Sequence, residues 1–233
     1  MNPNNEHWNS SDEDLILDKL PLQVTSIRPQ LKRPDRFSLF HKKTFLLGVS
    51  SQTLLDFPIQ KGVELTPSLY LSLKESEEYQ NVKDRCYRLL SGRDHAAFEL
   101  RQKMAKKGFL SDITEKVIEE FLDRGFLDDE KYAKKFAADK ANLKQWGPVK
   151  IKIALQKKGI KKSVAEKVVE KLNANLEQDQ ICVDLALKRK AHFLREPEFY
   201  KRKQKIYRYL AGKGYTGDQI KKALPIILEK LNV

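Results

Sequence analysis

Seven basic side chains stand beside the apolar positions of three similar helical segments in this 233-residue sequence. Such cations bind phosphate or carboxylate oxygens, arginine through a planar fork and lysine as a point charge. Taken singly, each is explained by an ordinary solvated side chain; as a set on equivalent helices, they would line one concave binding surface. The seven candidates for partner contacts are Arg101, Lys150, Lys152, Lys157, Lys201, Lys205 and Arg208.

Catalytic and metal-binding chemistry has little support in the sequence. The P-loop pattern Gly-x4-Gly-Lys-Ser/Thr does not occur, so the chain is not expected to be an ATPase itself. The histidines are scattered and have no ligand spacing with Cys86 or Cys182. The acidic run 128–130 stands at a predicted helix start, where the helix dipole accounts for it. We therefore expect a non-enzymatic protein without metal or cofactor.

The basic candidates are positioned by a unit that occurs three times. Aligned on Gly108, Gly159 and Gly214, each copy has apolar residues eight and four positions before the glycine. A lysine precedes the glycine, an apolar residue follows it, and further apolar residues come nine, ten and thirteen positions later. This spacing places the apolar residues on helix faces, and the glycine suits the left-handed turn that ends a helix. Each unit is predicted to be helix, glycine turn, helix.

The repeats predict a mainly α fold of three tandem three-helix repeats in an elongated, curved array. The predicted boundaries are 82–127 for repeat one, 128–178 for repeat two and 179–233 for repeat three. Repeat three is expected to begin with one helix over 179–192. Capping boxes are predicted at Asp112, Ser163 and Thr216. Pro225 lies inside the last predicted helix and should kink it or shift its start.

The N-terminal part has a different character. Residues 1–22 are acidic and polar and predict a flexible tail whose leucines and Ile16 would dock weakly. Residues 23–81 are predicted to hold a small antiparallel sheet, a short helix capped by Ser51, and a connecting helix begun by Thr66 and Pro67. The three predicted strands are 24–28, 36–40 and 44–49.

Three aromatic residues stand at the start of the middle helices of repeats two and three. Trp146 precedes the first of these helices, and Phe199 and Tyr200 open the second. Core packing is the expected role of all three rings, and an exposed contact with a partner is the alternative.

Composition narrows the class of partner. The net charge is +13, and the basic excess lies in residues 128–233. This favours a polyanionic partner, either nucleic acid or a protein–nucleic acid assembly, although lysine-rich faces are often only solvated. No apolar run reaches the ~18 residues of a spanning helix, and the start lacks a signal-peptide pattern. Two distant cysteines predict buried free thiols in a reducing cytoplasm.

One stretch resembles a known family. The motifs within 125–160 are Gly125-Phe126-Leu127-Asp128-Asp129-Glu130, Tyr132-Ala133, Phe136, Gly147-Pro148 and Lys158-Gly159-Ile160. They resemble the core signature of the RecX family, the bacterial regulators of the RecA recombinase. Residues 89–109 resemble the family's first repeat, and the likeness covers about residues 82–228. One departure is in repeat three, where an arginine-rich face is replaced by lysines around Arg202.

The resemblance implies a non-catalytic protein of three-by-three helices. Such a protein would bind along the groove of the RecA–DNA filament, limit its extension, and suppress its ATPase and strand exchange. The implied partners are the RecA filament and, more weakly, single- and double-stranded DNA, with no membrane and with the chain as a monomer. A stand-alone module that contacts DNA phosphates is the alternative, and its affinity would fall steeply with salt.

Overall fold

The computed structural model describes residues 15–174 and 177–231. Two compact units can be distinguished. The first holds residues up to Ser91 together with Met104–Val117, and the second holds Gly92–Lys103 together with the residues from Ile118 onward. The fold is mainly α with small antiparallel sheets in the N-terminal region, which confirms the predicted fold class.

The predicted three-stranded sheet is present, and a second strand pair accompanies it. The strands are β1 (Leu22–Gln23), β2 (Ser26–Gln30), β3 (Arg33–His41), β4 (Thr44–Ser50) and β5 (Glu64–Leu65). β2, β3 and β4 form an antiparallel sheet in that order, and β1 pairs with β5. The β1–β5 pair was not predicted, because strands of two residues are too short to show alternation.

The sheets and the long helix after them share one apolar core in the first unit. Its fully buried members include Val24, Leu39, Leu46, Leu65 and Leu73. Ile16 is buried in the same core, and Leu17, Leu20 and Leu22 pack against it. The predicted tail therefore contributes to the core from Ile16 onward, while its residues 1–14 lie outside the described residues.

A buried carboxylate joins the sheet to the long helix. Helix α1 is Ser51–Asp56 and α2 is Pro67–Gly92, begun by Thr66 and Pro67 as predicted. Glu77 of α2 accepts a hydrogen bond from the Ser50 amide at 2.6 Å, and its other oxygen lies 2.8 Å from Arg36 Nη2. The predicted cap at Ser51 is wrong: Ser50 caps α1, because β4 leads directly into the helix.

The remaining helices of the described residues lie between Ala97 and Lys230. They are α3 (Ala97–Ala105), α4 (Ser111–Asp123), α5 (Asp129–Lys144), α6 (Pro148–Lys157), α7 (Lys162–Ala174), α8 (Gln178–Leu187), α9 (Lys190–Leu194), α10 (Phe199–Lys213) and α11 (Gly217–Lys230). The three aligned glycines have φ values of +81°, +79° and +96°, which confirms the left-handed turns. The middle helices α3, α6 and α10 each lead into one of these turns.

The predicted apolar stripes are buried. The residues eight and four positions before each glycine are all fully buried: Leu100, Ile151, Ile206, Met104, Leu155 and Leu210. Of the positions after the turn, Phe121 and Ile227 are fully buried, whereas Leu172 is only partly buried. Cys86 and Cys182 are buried free thiols, as predicted, and burial raises their pKa to about 11 and about 12.

Two of the three predicted capping boxes are wrong. α4 and α7 begin at Ser111 and Lys162, so Asp112 and Ser163 lie inside the first turn rather than at the cap. The third box is confirmed. The Thr216 hydroxyl accepts a hydrogen bond from the Gln219 backbone N–H at 3.3 Å, and Gln219 Oε1 accepts one from the Thr216 backbone N–H at 2.9 Å.

Repeat three departs from the prediction in its first helix. The expected helix over 179–192 is broken into α8 and α9 at Lys188 and Arg189. The wider spacing before Gly214, 55 residues against 51 before Gly159, comes instead from the middle helix, because α10 has 15 residues and α6 has 10. Pro225 lies within α11, which continues through it and still begins directly after Thr216, so the start of the helix is not shifted.

Candidate partner interface

All seven predicted basic residues lie in the second unit, on the three middle helices. Three of them form ion pairs within the chain: Lys152 with Glu166 at 3.5 Å, Lys201 with Glu198 at 2.7 Å, and Lys205 with Glu196 at 2.6 Å. The side chains of these lysines are 37–63% exposed, so water weakens each pair and an anionic partner can compete for the cation.

The other four candidates differ in their surroundings. Arg101 is half-buried on α3, and Lys150 is half-buried at the start of α6. Lys157 and Arg208 are exposed and have no ion-pair partner within 15–174 and 177–231. The predicted set is therefore not one uniform surface: two exposed cations carry no internal partner, three share carboxylates, and Lys150 belongs to a contact between repeats.

The neighbouring cationic run in α10 is partly structural. Arg202 is buried, and its guanidinium donates to the Glu196 carbonyl at 2.9 and 2.7 Å and to the Pro197 carbonyl at 3.2 Å. These bonds hold the chain that leads into the helix. Arg202 is therefore not available to a partner, although the sequence places it among exposed lysines.

The aromatic residues only partly follow the expectation. Trp146 is half-buried against the core of repeat two, as predicted. Phe199 and Tyr200 are 49% and 64% exposed, so the prediction of core packing is wrong for both. Phe199 shares its helix face with Ile206 and Leu210, but it stands in the first turn of α10, before the buried part of that face begins. Phe199 and Tyr200 are therefore accessible at the start of that helix.

Successive repeats meet through the glycine turns, a feature that sequence reasoning missed. The turn at Gly159 packs on Phe98 in the first turn of α3, and the turn at Gly214 packs on Lys150 in the first turn of α6. At the second of these junctions the amides of Gly147 and Val149 donate to the carbonyls of Lys213 and Gly214 at 2.9 and 3.0 Å. The alignment of the repeats could have indicated these contacts, because in both cases the glycine turn of one repeat packs on the start of the middle helix of the preceding repeat.

The first junction is organised around a buried carboxylate, Glu99. Its side chain accepts hydrogen bonds from Arg93 Nη1 at 3.3 Å, from the Tyr132 hydroxyl at 3.1 Å, and from Lys158 Nζ. Burial alone would raise the pKa of Glu99, but the hydrogen bonds from Lys158 and Arg93 lower it to about 2. Burial and the Glu99 charge raise the pKa of Tyr132 to about 12, so its hydroxyl stays a donor.

The lowered pKa of Glu99 predicts an acid-sensitive second unit. A carboxyl group with an ordinary pKa of 4.5 and a folded value of about 2 stabilises the fold above the ordinary value, and this contribution is lost as pH falls from 4.5 to 2. The loss is at most about 3 kcal/mol. We expect Glu99→Gln to flatten the pH dependence of the urea midpoint in this range. Glu166→Gln, which removes an exposed ion pair, is the matched control; parallel curves for Glu99→Gln and the unaltered chain would contradict the prediction.

Other kinds of site have no counterpart in the part of the chain that is described. There, no three His, Cys, Asp or Glu side chains come together in a way that could hold a metal ion. No helix among the described residues is both long and apolar enough to cross a membrane.

The fold and the site together define a tandem three-helix-repeat protein whose middle helices carry exposed cations. Three family models match it in order: the first three-helix domain of RecX at residues 83–121, the second at 128–169 and the third at 177–224. The chain belongs to the RecX family.

Individual relatives agree with the family models. "Regulatory protein RecX" of Clostridium beijerinckii is 29% identical over 88% of this chain and 97% of its own length. The protein of the same name from Clostridium acetobutylicum is 29% identical over 90% and 98%. A crystal structure of regulatory protein RecX matches 86% of this chain and 98% of its own, with a TM-score of 0.73 at 21% identity, and thus supports the fold. RecX from Lactobacillus salivarius gives a TM-score of 0.59 over 67% of this chain and 98% of its own.

Proposed function

We propose that this chain is a non-enzymatic regulator that binds the RecA–DNA filament and inhibits its ATPase, its extension and its strand exchange. It would thereby regulate DNA repair and recombination in the cytoplasm. One observation carries the proposal: the three stretches that match RecX domains contain the three middle helices, and these helices bear all seven basic candidates. The repeats thus present cations at related places along the chain, which suits a partner that is itself repetitive and anionic.

The state of the cations suggests how such a complex would form. Lys157 and Arg208 can contact an anion without first leaving an internal partner. Lys152 and Lys201 can exchange an exposed carboxylate for one on the filament or for a phosphate at little cost, because exposed ion pairs contribute little to stability. Lys205 is itself 43% exposed, although its partner Glu196 is only 17% exposed. The exposed rings of Phe199 and Tyr200 would add apolar contact beside these charges.

The direct test is hydrolysis of ATP by the cognate RecA on single-stranded DNA, with the chain titrated in. We expect inhibition well below one regulator per recombinase monomer, because each regulator would affect the filament beyond the monomer that it contacts. Inhibition only at ratios that cover the bare DNA would favour the stand-alone DNA-binding module. The absence of inhibition at an excess of the chain would contradict the proposal.

A charge-reversal pair tests the interface itself. We expect Lys157→Glu with Arg208→Glu to raise the concentration for half-inhibition about tenfold, equivalent to about 1.4 kcal/mol, because both cations face solvent without an internal partner. Lys167→Glu with Lys171→Glu changes the net charge equally on α7, whose residues are not among the candidates, and should have a much smaller effect. Equal effects of the two pairs would show that only net charge matters.

A further inference from the structure

The two junctions between repeats differ in charge at one equivalent position. Counted from the aligned glycines, Glu99 of repeat one and Lys150 of repeat two both stand nine residues before, and Lys158 and Lys213 both stand one residue before. At the first junction, Lys158 of repeat two reaches Glu99 of repeat one and forms an ion pair. At the second junction the corresponding residues, Lys213 and Lys150, are both cations.

Both lysines of the second junction lie around the same glycine turn. A Cβ atom at Gly214 would lie 2.3 Å from Lys150 Cβ, so this residue packs directly on the turn. The ammonium group of Lys150 donates to the Gly212 carbonyl at 3.4 Å, and Lys213 is the residue between these two glycines. At the first junction the Glu99 carboxylate neutralises Lys158. At the second junction Lys150 stands at the equivalent position, so the charge of Lys213 is not neutralised there.

Aromatic rings interleave with further cations at the same junction. The Trp146 ring centroid lies 4.8 Å from Lys150 Nζ and 5.5 Å from Lys140 Nζ. The Tyr209 centroid lies 4.9 Å from Arg189 Cζ and 5.9 Å from Lys213 Nζ. Ring faces attract cations and help to hold them together, but they do not neutralise them.

One more lysine reaches the loop that carries Trp146. Lys188 Nζ donates to Gln145 Oε1 at 3.4 Å, and the Tyr215 hydroxyl donates to the Gln145 carbonyl at 3.3 Å. We name the resulting set the second-junction cation cluster: Lys140, Lys150, Lys188, Arg189 and Lys213. Within the described ranges, 15–174 and 177–231, none of these five cations forms an ion pair.

We propose that the second-junction cation cluster binds the sugar–phosphate backbone of a nucleic-acid strand. The inference deepens the proposed function, since it assigns the nucleic-acid contact of the filament complex to one place in the fold. The cluster follows the chain from α5 across the loop at Gln145 to the break between α8 and α9 and the turn after α10, so its charges are distributed over several elements. A polymer with one negative charge per residue matches such a distribution.

An acidic protein segment is the competing occupant. A single carboxylate would suit a compact pocket such as the one that surrounds Glu99, where three side-chain donors and the Ala96 backbone amide converge on one carboxylate. The cations of the second junction are instead held on two separate rings and a loop. This distribution favours a chain of phosphates, and the experiments below distinguish the two occupants.

The first experiment measures binding of a fluorescein-labelled thymidine oligonucleotide to the full chain by anisotropy, without recombinase, over a series of salt concentrations. We expect Lys150→Glu with Lys213→Glu to weaken binding by at least about tenfold, because two charge-assisted contacts are lost. The slope of log affinity against log salt is negative and should become less steep by about 1.4, which is about 0.7 for each lost phosphate contact on a single strand. Lys167→Glu with Lys171→Glu is the matched control, and an equal loss in both pairs would overturn the proposal.

A second variant and the fluorescence of one tryptophan show whether a loss of binding is due to misfolding. Lys140→Gln with Arg189→Gln removes charge from other elements of the cluster and should weaken binding in the same direction, with an unchanged circular dichroism spectrum. Trp8 and Trp146 are the two tryptophans of the chain. In a Trp8→Phe chain, the fluorescence of Trp146 reports on the junction directly, so emission that stays constant while the oligonucleotide saturates would also overturn the proposal.

The same variants separate this proposal from the proposed function. If Lys150→Glu with Lys213→Glu binds the oligonucleotide normally but no longer inhibits the RecA ATPase, the cluster contacts protein carboxylates and the nucleic-acid assignment is wrong. If the unaltered chain binds the oligonucleotide through the cluster but never inhibits RecA, the proposed function fails while the assignment of the cluster stands.

Discussion

Gly159→Val is expected to lower the free energy of unfolding by about 3–5 kcal/mol, through two separate effects. The backbone of Gly159 has φ +79°, where a β-branched residue is strained by roughly 1–3 kcal/mol. A Cβ atom there would also lie 2.2 Å from Phe98 Cβ and 2.5 Å from Phe98 Cγ, so the ring or the turn must move. Overpacking of this kind costs typically about 1–3 kcal/mol.

Gly108 provides the matched control. Its φ is +81°, but a Cβ atom there would meet no described atom within 4 Å. Gly108→Val should therefore cost only the backbone strain and lower stability less than Gly159→Val. The measurement is urea unfolding followed by far-ultraviolet circular dichroism, with each transition analysed by itself because the chain has two units.

A double-mutant cycle isolates the contact between the repeats. Phe98→Ala removes the ring atoms that the new side chain would strike but keeps the Cβ atom, so Gly159→Val should be partly relieved in that background. Gly108→Val should be unaffected by Phe98→Ala. If the two glycine variants lose equal stability, or if Phe98→Ala brings no relief, the close approach of Gly159 to Phe98 contributes nothing to folding.

Glu77→Ala is expected to destabilise the first unit by about 3–5 kcal/mol, because it leaves the Arg36 guanidinium largely buried without its counterion. The side chains of Arg36 and Glu77 are only 12% and 6% exposed. The substitution also removes the acceptor of the Ser50 amide and of the Thr53 hydroxyl, which join the end of β4 and the start of α1 to α2.

Glu75→Ala on the same helix is the control. Glu75 pairs with Lys116 at 2.7 Å, but both side chains are more than half exposed, so its loss should change stability much less. Arg36→Leu with Glu77→Gln removes both buried charges while keeping an amide oxygen for the Ser50 amide, and should be more stable than Glu77→Gln alone. Amide hydrogen exchange in β4 would show whether the loss is local to the sheet; equal protection in Glu77→Ala and Glu75→Ala would contradict the prediction.

Local periodicity explains which parts of the fold could be predicted. The spacing of Leu100 and Met104, repeated at Ile151 and Leu155, depends only on the helical period, so burial of those faces followed directly from the sequence. The left-handed conformation of Gly159 is likewise a local property of a residue without a Cβ atom. Helix ends could not all be predicted in this way. The break between α8 and α9 is an example, because the charged pair Lys188-Arg189 is compatible with a continuous helix.

Some features of the candidate site could likewise be predicted from the sequence, and others could not. Sequence by itself identified the repeated unit, the family resemblance and the cations of the middle helices, since residue type and spacing are sufficient for each. Only the tertiary structure distinguished Arg202, buried on carbonyl groups, from exposed Arg208 in the same helix, and only it joined Lys158 to Glu99, 59 residues earlier in the chain. The physical reason is that the state of a charge depends on what lies within a few ångströms of it, and at the junctions those neighbours belong to another repeat.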